Sequence, residues 1–306
     1  MGTTPALVIG NPRAGRGRVV RHWDGLLARL VAAGFEPAGR LTERPGHAVE
    51  LAAEAATRGW PLVVAAGGDG TVHEVVNGLL THGSASPPDT VPALGLVPAG
   101  SGCDYARTFG VPPGVDGAVA HLAGAGPRPV DVGEVHCEGA AGPHVRRFVN
   151  IAEVGIGADV AERAARLPRA LGPGRYALAL ALTLPGQRPV AAEVEIDGDV
   201  VPGPLANLVV ALGRYFGGGM HIAPGADPSR GHFEVQVQSG SKLDYARALP
   251  RVFRGTHLPH PRVHEARARS VTVTCDPPAR LEADGEVLGT TPARFTLLPR
   301  ALAVRA

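Results

Sequence analysis

A glycine-rich segment with a single carboxylate carries the clearest chemistry in this sequence. The continuously apolar run 62–66 is followed by Gly67, Gly68, Asp69, Gly70 and Thr71. Glycines let a backbone approach a ligand closely, and backbone amides at the start of a helix bind phosphate. A carboxylate beside phosphates needs a cation between them, so Asp69 indicates Mg²⁺, or a base that removes a proton from an acceptor. Taken alone, the segment is also compatible with a strand-to-helix turn that binds no ligand.

The element after this segment must be a helix, because its apolar residues change from continuous to helical spacing. Val72, Val75, Val76 and Leu79 recur at i, i+3, i+4 and i+7. Thr71 with Glu74 three residues later has the pattern of a capping box. We therefore expect the helix to begin at Thr71, with its first amides directed at the glycine-rich loop.

The rest of the first ~125 residues also alternates strand and helix patterns, which predicts a doubly wound, mostly parallel sheet. Every candidate ligand motif in this region directly follows a predicted strand, where ligands bind in such sheets. The predicted strands are 6–10, 36–41, 62–66 and 93–97, and the predicted helices are 18–33, 46–58, 102–109 and 115–124 besides the helix after Thr71.

Beyond Pro127 the apolar residues alternate with period 2, as in 192–196, 232–238 and 270–274. Asp197-Gly198 and Asp284-Gly285 have the composition of tight hairpin turns. We therefore predict an α/β domain over 1–126 and an antiparallel β-rich domain over 127–306. Helices are expected in the second domain at 158–167, 174–184 and 242–254.

Four motifs, in this order and spacing, resemble the diacylglycerol kinase catalytic domain family, which includes bacterial soluble lipid kinases and sphingosine and ceramide kinases. They are Asn11-Pro12-Arg13-Ala14-Gly15, Gly67 to Gly78, Pro98 to Arg107 and Asp284-Gly285-Glu286. The segment from Gly213 to Met220, with Ala223-Pro224, is similar to the second domain of the family. The resemblance covers nearly the whole chain.

The resemblance implies a kinase that binds ATP and Mg²⁺ in a cleft between its domains and phosphorylates a lipid hydroxyl, with diacylglycerol as the default substrate and phosphatidic acid as its product. It implies Glu286 as the proton acceptor, with Asp284 positioning it or sharing the metal, although some relatives are argued to use the residue that corresponds to Asp69. The last strand is expected to return to the first domain. The implied nucleotide site is Asn11, Pro12, Arg13, Ala14, Gly15, Thr42, Gly67, Gly68, Asp69, Gly70, Thr71, Val72, His73 and Ser101.

The sequence departs from the family pattern at three positions. Ser101 replaces a common Thr and keeps the hydroxyl group, whereas Cys103 stands where Asn is usual and loses a hydrogen-bond donor and acceptor. Arg230 stands where many bacterial relatives have an Asp that binds a structural Mg²⁺. Because a guanidinium cannot bind a cation, we predict that this structural metal is absent.

Composition limits the class of protein and its partners. The chain has 306 residues, 44% hydrophobic and 19% charged, with a formal net charge of +2, so strong nucleic-acid binding is not indicated. No secretory signal is predicted at the start, and the apolar run 176–184 is shorter than the ~20 residues that cross a bilayer. The three cysteines lack metal-ligand spacing, so we expect a reduced, cytoplasmic setting. A lipid substrate would then be met at the membrane surface.

Lys242 is the only lysine, so neither a P-loop lysine nor a protein-kinase lysine is available. Charge on the transferred phosphoryl group must then be offset by Mg²⁺, backbone amides and arginine.

Two alternatives remain at the level of sequence. An NAD-kinase-like enzyme shares the Gly-Gly-Asp-Gly-Thr turn, although Pro98 to Arg107 and Asp284-Gly285-Glu286 argue against it. A catalytically inactive lipid- or nucleotide-binding relative is compatible with Cys103 and Arg230. The identity of the lipid and the oligomeric state, a homodimer included, are left open.

Overall fold

The structure is a computed structural model that describes residues 3–81, 91–100, 102–140, 142–168, 171–172 and 174–306. The predicted nucleotide-site residue Ser101 lies outside this range. The chain divides into two compact units. Unit 1 comprises Met1–Asp131 and Pro299–Ala306, and unit 2 comprises Val132–Leu298.

Unit 1 alternates strands and helices, as the sequence predicts, and its strands run parallel. The elements are β1 (Thr4–Gly10), α1 (Arg18–Arg21), α2 (Trp23–Ala32), β2 (Phe35–Leu41), α3 (His47–Thr57), β3 (Leu62–Gly67), α4 (Asp69–Leu79), β4 (Ala93–Pro98), α5 (Asp104–Thr108), α6 (Val115–Gly124) and the start of β5 (Pro127–Gly139).

The sheet of unit 1 has the order β2-β1-β3-β4, with all neighbours parallel. The end of the last strand, β15 (Glu286–Arg305), continues this sheet, because Val304 and Arg305 pair in parallel with β4. All six residues of β3 are buried, as expected of a parallel strand covered on both faces. The apolar face of α4, which includes Val72, Val75 and Val76, is buried as well.

Unit 2 is rich in antiparallel strands and contains a few helices. Its elements after β5 are β6 (Gly142–Phe148), β7 (Ile151–Gly155), α7 (Ile156–Arg166), α8 (Gly174–Thr183), β8 (Val190–Ile196), β9 (Asp199–Leu205), β10 (Asn207–Ala211), β11 (Phe233–Gln238), α9 (Lys242–Val252), β12 (Val263–Ala268), β13 (Ser270–Asp276), β14 (Arg280–Ala283) and most of β15.

The strands of unit 2 form one antiparallel run in the order β12-β11-β10-β7-β14-β15, and β13, β8 and β9 continue from β15. One face buries an apolar core in which the Phe148 ring stacks on Phe233 at 5.8 Å and contacts Phe295 edge-on at 6.2 Å. The predicted fold class, a parallel α/β region followed by an antiparallel β-rich region, is thus confirmed.

Both predicted hairpin turns are present. Asp197 (φ 48°) and Gly198 (φ 98°) join β8 to β9, and Asp284 (φ 52°) and Gly285 (φ 87°) join β14 to β15. Two consecutive positive φ angles are what a type I′ turn requires. Among the residues that the structure describes, every helix is too short or too polar to cross a bilayer.

Candidate active site

The loops that follow β1, β3 and β4 meet at the carboxyl edge of the sheet in unit 1. The Asn11 amide donates to the carbonyl of Ala66 (3.1 Å), and the Ala99 amide donates to the carbonyl of Gly67 (2.8 Å). The Asn11 side chain also donates from Nδ2 to the hydroxyl of Thr71 (3.4 Å). The structure therefore brings together the motifs that begin at Asn11, Gly67 and Pro98.

Glycine is required where these loops touch. A Cβ atom at Gly100 would lie 2.6 Å from the Cα of Gly68, so the two turns pack backbone against backbone. At Gly15, which has a φ of 55°, a Cβ would collide with the carbonyl oxygen of Ala99. Side chains at these positions would separate the loops that form the predicted phosphate site.

The N-cap of the helix that faces these loops lies three residues earlier than Thr71, where the capping-box pattern predicts it, and that prediction was wrong. Helix α4 starts at Asp69, and its N-cap is Gly68, which has no side-chain acceptor. The Glu74 carboxylate instead accepts from the backbone amides of Gly46 (3.1 Å) and Ala48 (3.2 Å), at the start of α3. The N-terminus of α4 therefore has no side chain of its own as a cap, and its dipole favours an anion there.

Asp69 has a structural partner that the sequence did not reveal. Its Oδ1 accepts from the backbone amide of Tyr105 (3.1 Å), in the first turn of α5. The carboxylate thus ties the loop after β3 to the short helix after β4. Because Asp69 is only half-buried, it is suited to reach a ligand as well as to cap α5.

Cys103 occupies a left-handed backbone position at the N-cap of α5, with a φ of 54°. Asparagine, the usual residue of the family here, adopts this conformation more readily than other non-glycine residues. Burial, and then the nearby Asp69, raise the pKa of the Cys103 thiol to about 12. We therefore interpret Cys103 as an unreactive thiol that fills a space beside the Gly67 carbonyl.

The remaining predicted nucleotide-site residues of unit 1 differ in burial. Pro12, Arg13 and Ala14 are partly or fully exposed. Thr42 is buried at the end of β2, and its backbone amide donates to the carbonyl of Gly10 (2.9 Å). Val72 and His73 are buried within α4. The His73 ring lies 3.3 Å from the Asn77 side chain, so His73 packs inside unit 1.

In unit 2, the Asp284 carboxylate anchors the hairpin turn that carries Glu286. It accepts from the backbone amides of Val149 (3.0 Å), Asn150 (3.0 Å) and Ile151 (3.2 Å). Glu286 itself is exposed at the start of β15. The contacts of Asp284 support a positioning role.

Sequence reasoning missed a pair of buried carboxyl groups behind this turn. Glu153 in β7 and Glu282 in β14 are directly opposite each other, and each is 3% exposed. Burial raises the pKa of Glu153 to about 7. Burial, and then the neighbouring Glu153, also raise the pKa of Glu282. A glutamate between apolar strand residues, as in Ile151–Gly155, was the signal in the sequence.

We expect this pair to make unit 2 less stable at alkaline pH. The folded carboxyl groups keep protons that unfolded glutamates lose near 4.5. The stabilising contribution of Glu153 is therefore complete below that pH and is lost as the pH rises through about 7. Because the pKa of Glu282 is also raised, its contribution is likewise lost as the pH rises. Between pH 5 and pH 8, the free energy of unfolding should fall by on the order of 1–3 kcal/mol through this pair.

Urea unfolding followed by far-ultraviolet circular dichroism measures this slope. Glu153→Gln should flatten it, and the control Glu195→Gln, at an exposed position of β8, should not. Equal slopes for wild type and Glu153→Gln would contradict the assignment.

A cavity of about 860 Å³ lies within unit 2, beside α7 and α8. Its apolar lining includes Ile156, Leu167, Leu182 and Leu205. Its arginines are Arg163, Arg166, Arg188 and Arg280. Arg280 pairs with Asp159 (3.0 Å) and Glu162 (2.9 Å), and Arg166 pairs with Glu162 (2.6 Å). The combination of an apolar interior and cationic groups is suited to an amphipathic ligand.

Arg230, which stands where the resemblance implies a metal-binding Asp, lies close to a carboxylate. Its Nε is 3.5 Å from Asp227 Oδ2, while Asp227 Oδ1 accepts from the amide (3.0 Å) and hydroxyl (2.7 Å) of Ser229. The guanidinium thus supplies positive charge beside Asp227. That no metal binds here stays a prediction.

The fold and these motifs define the class of protein. Residues 5–135 match the diacylglycerol kinase catalytic domain, and residues 150–306 match the YegS C-terminal NAD kinase beta sandwich-like domain. The chain is 32% identical over 302 residues to the diacylglycerol kinase of Bacillus subtilis, covering 96% of this chain and 94% of the relative. It is 31% identical over 301 residues to that of Staphylococcus haemolyticus, covering 98% and 87%. The chain therefore belongs to the diacylglycerol kinase family of lipid kinases.

Solved structures share the fold. The chain is similar to a crystal structure from Bacillus anthracis, with a TM-score of 0.80, 22% identity and coverage of 99% and 98% of the two chains. A diacylglycerol kinase structure from the same organism has a TM-score of 0.72 and 21% identity, with 98% and 96% covered. Yeast NADH kinase is more distant, with a TM-score of 0.50 and 11% identity, covering 99% and 83%.

Proposed function

We propose that this protein transfers the γ-phosphate of ATP to the primary hydroxyl of diacylglycerol at a membrane surface, forming phosphatidic acid for phospholipid synthesis. The observation that carries the proposal is the convergence of the Asn11, Gly67 and Pro98 loops at the start of α4 in a chain of this family. Backbone amides at that helix start suit the phosphates of ATP. The lipid assignment follows the Bacillus subtilis and Staphylococcus haemolyticus relatives, both of which are named diacylglycerol kinases.

The residues of unit 1 fit Mg²⁺ bound together with ATP. Mg²⁺ is commonly held by one or two carboxylates, substrate phosphates and water, and the half-buried Asp69 offers a carboxylate at this edge of the sheet. When bound, Mg²⁺ would offset negative charge on the phosphates. Asp69 would hold it, directly or through water, while the glycine-rich turn keeps the loops in contact.

Glu286 is the proposed proton acceptor. A primary alcohol loses its proton with difficulty, so a carboxylate near the hydroxyl is needed, and such a base contributes ~10²–10⁴-fold in rate. The Asp284 carboxylate holds the turn on the amides of 149–151, which restricts where Glu286 can point. The assignment of Glu286 follows its match to the family motif.

Transfer of radiolabelled phosphate from ATP to a panel of lipids tests the function. We expect diacylglycerol to be labelled in vesicles or mixed micelles, ahead of sphingoid bases and ceramide. Labelling of NAD without labelling of lipid would favour the NAD-kinase-like alternative. ATP binding without turnover on any lipid would identify an inactive relative.

We further propose that the cavity of unit 2 receives acyl chains of the lipid. Its volume falls in the range of ~300–1,000 Å³ that is usual for ligand pockets. The exposed Leu178 and Leu182 on the neighbouring α8 and the arginines of the lining suit contact with an anionic membrane surface.

Two leucines of α8 provide a matched test of this cavity. Leu182 lines the cavity and Leu178, one turn earlier, does not, although both are exposed. We expect Leu182→Gln to raise the KM for long-chain diacylglycerol about three- to tenfold, since removing apolar contact costs roughly 1 kcal/mol. The KM for ATP should not change. Kinetics with Leu178→Gln are the control, and equal effects of the two changes would indicate general membrane contact instead.

A further inference from the structure

The strongest unassigned feature of the molecule is the buried pair Glu153 and Glu282. Among the residues that the structure describes, no arginine, lysine or histidine forms an ion pair with either carboxyl group. Instead, Glu153 Oε1 accepts from the side chain of Asn207 (2.8 Å), whose own oxygen accepts from the amide of Gly157 (3.0 Å). A Cβ at Gly157 would collide with the Glu153 carboxyl group, so the backbone of the first turn of α7 packs directly against this carboxyl group.

Two carboxyl groups in this setting cannot both be charged. Moving an ionised carboxylate into an apolar interior is costly unless a cation or several donors compensate. Adjacent like charges add repulsion, which the two groups relieve by keeping a proton. The pair therefore behaves as one coupled acid.

The pair is connected directly to the turn that carries Glu286. Glu282 Oε2 accepts from the backbone amide of Gly285 (2.6 Å). Asp284 holds the same turn from its other side through the amides of Val149, Asn150 and Ile151. The turn is thus held by two carboxyl groups, those of Glu282 and Asp284.

We infer that Glu282 is a positioning residue for Glu286, and that the contact of its carboxyl group with the Gly285 amide keeps the turn in its active conformation. The inference rests on the proposed role of Glu286.

The experiment measures kcat, both KM values and hydrogen exchange over residues 283–287 at pH 6. We expect Glu282→Ala to lower kcat roughly 10- to 100-fold through misplacement of Glu286, with the KM for ATP unchanged. Exchange at Gly285 should rise at least about tenfold, because the amide loses its acceptor. Glu282→Gln keeps an acceptor oxygen and should retain kcat within about threefold of wild type. The control is Glu195→Ala on β8, which should change nothing.

The inference is overturned if Glu282→Ala keeps kcat within twofold and leaves exchange at Gly285 unchanged, or if Glu282→Gln is as impaired as Glu282→Ala. A wild-type enzyme that phosphorylates no lipid would reject the proposed function. The exchange measurements need no substrate and would still decide whether Glu282 holds the turn.

Discussion

Replacement of Asp69 by asparagine is expected to reduce kcat for lipid phosphorylation at least ~10²-fold while leaving the fold intact, because one charged group at a transferring phosphoryl group contributes this much. The asparagine side-chain oxygen can still accept from the Tyr105 amide, so α5 keeps its cap. Steady-state kinetics with varied Mg²⁺ and ATP measure the effect, which should include a higher Mg²⁺ requirement.

Asp69→Ala separates the two roles of this residue. It removes the acceptor for Tyr105 as well as the charge, so it should also cost ~0.5–2 kcal/mol of stability, the usual effect of losing a helix cap. Asp24→Asn, an exposed first-turn acid of α2, is the matched control and should retain full activity. If Asp69→Asn keeps more than a tenth of the wild-type kcat, Asp69 serves only to cap α5.

Replacement of Glu286 by glutamine should lower kcat by ~10²–10⁴-fold, the contribution of a positioned general base. ATP binding should persist, because the change lies in unit 2 and the predicted nucleotide site in unit 1. Measuring kcat by phosphate transfer and ATP affinity by equilibrium binding separates these two effects.

The chain contains a matched control for Glu286. In the hairpin between β8 and β9, Asp197 and Gly198 also have positive φ angles, and Asp197 accepts from the amides of Arg269 (3.0 Å) and Ser270 (2.8 Å). Asp199, the first residue of β9, corresponds in position to Glu286, the first residue of β15. Asp199→Asn should leave kcat unchanged. If Glu286→Gln retains most of the lipid kinase turnover, the base must be sought elsewhere, with Asp69 as the first candidate.

Much of the fold could be predicted because its signals are local. The apolar run of β3, the helical spacing of Val72, Val75 and Val76 and the composition of the Asp284-Gly285 turn each act over a few residues. The order of strands and helices then restricts the topology, since parallel strands connected by helices place their loops at one edge of a sheet. This is why the Asn11, Gly67 and Pro98 motifs could be expected to meet.

The partners of polar side chains could not be predicted in the same way. Glu74 has the correct spacing to cap its own helix, but it binds the start of α3, because the backbone amides of Gly46 and Ala48 lie within its reach. His73 stands in the motif that resembles a nucleotide site, yet it is buried in α4. Burial and competition between acceptors depend on the packing of segments that are distant in the chain.

The sequence by itself determined the family, the order of elements and the chemical types at the site. Motif composition and spacing are properties of the chain and persist whatever its conformation. Tertiary structure alone decided that Asp69 caps α5 and that Glu153 faces Glu282 across two strands. Strand register sets which side chains are opposite each other, and the apolar surroundings set their protonation. Both contacts join residues that are distant in the chain, so the sequence alone does not show that these residues meet.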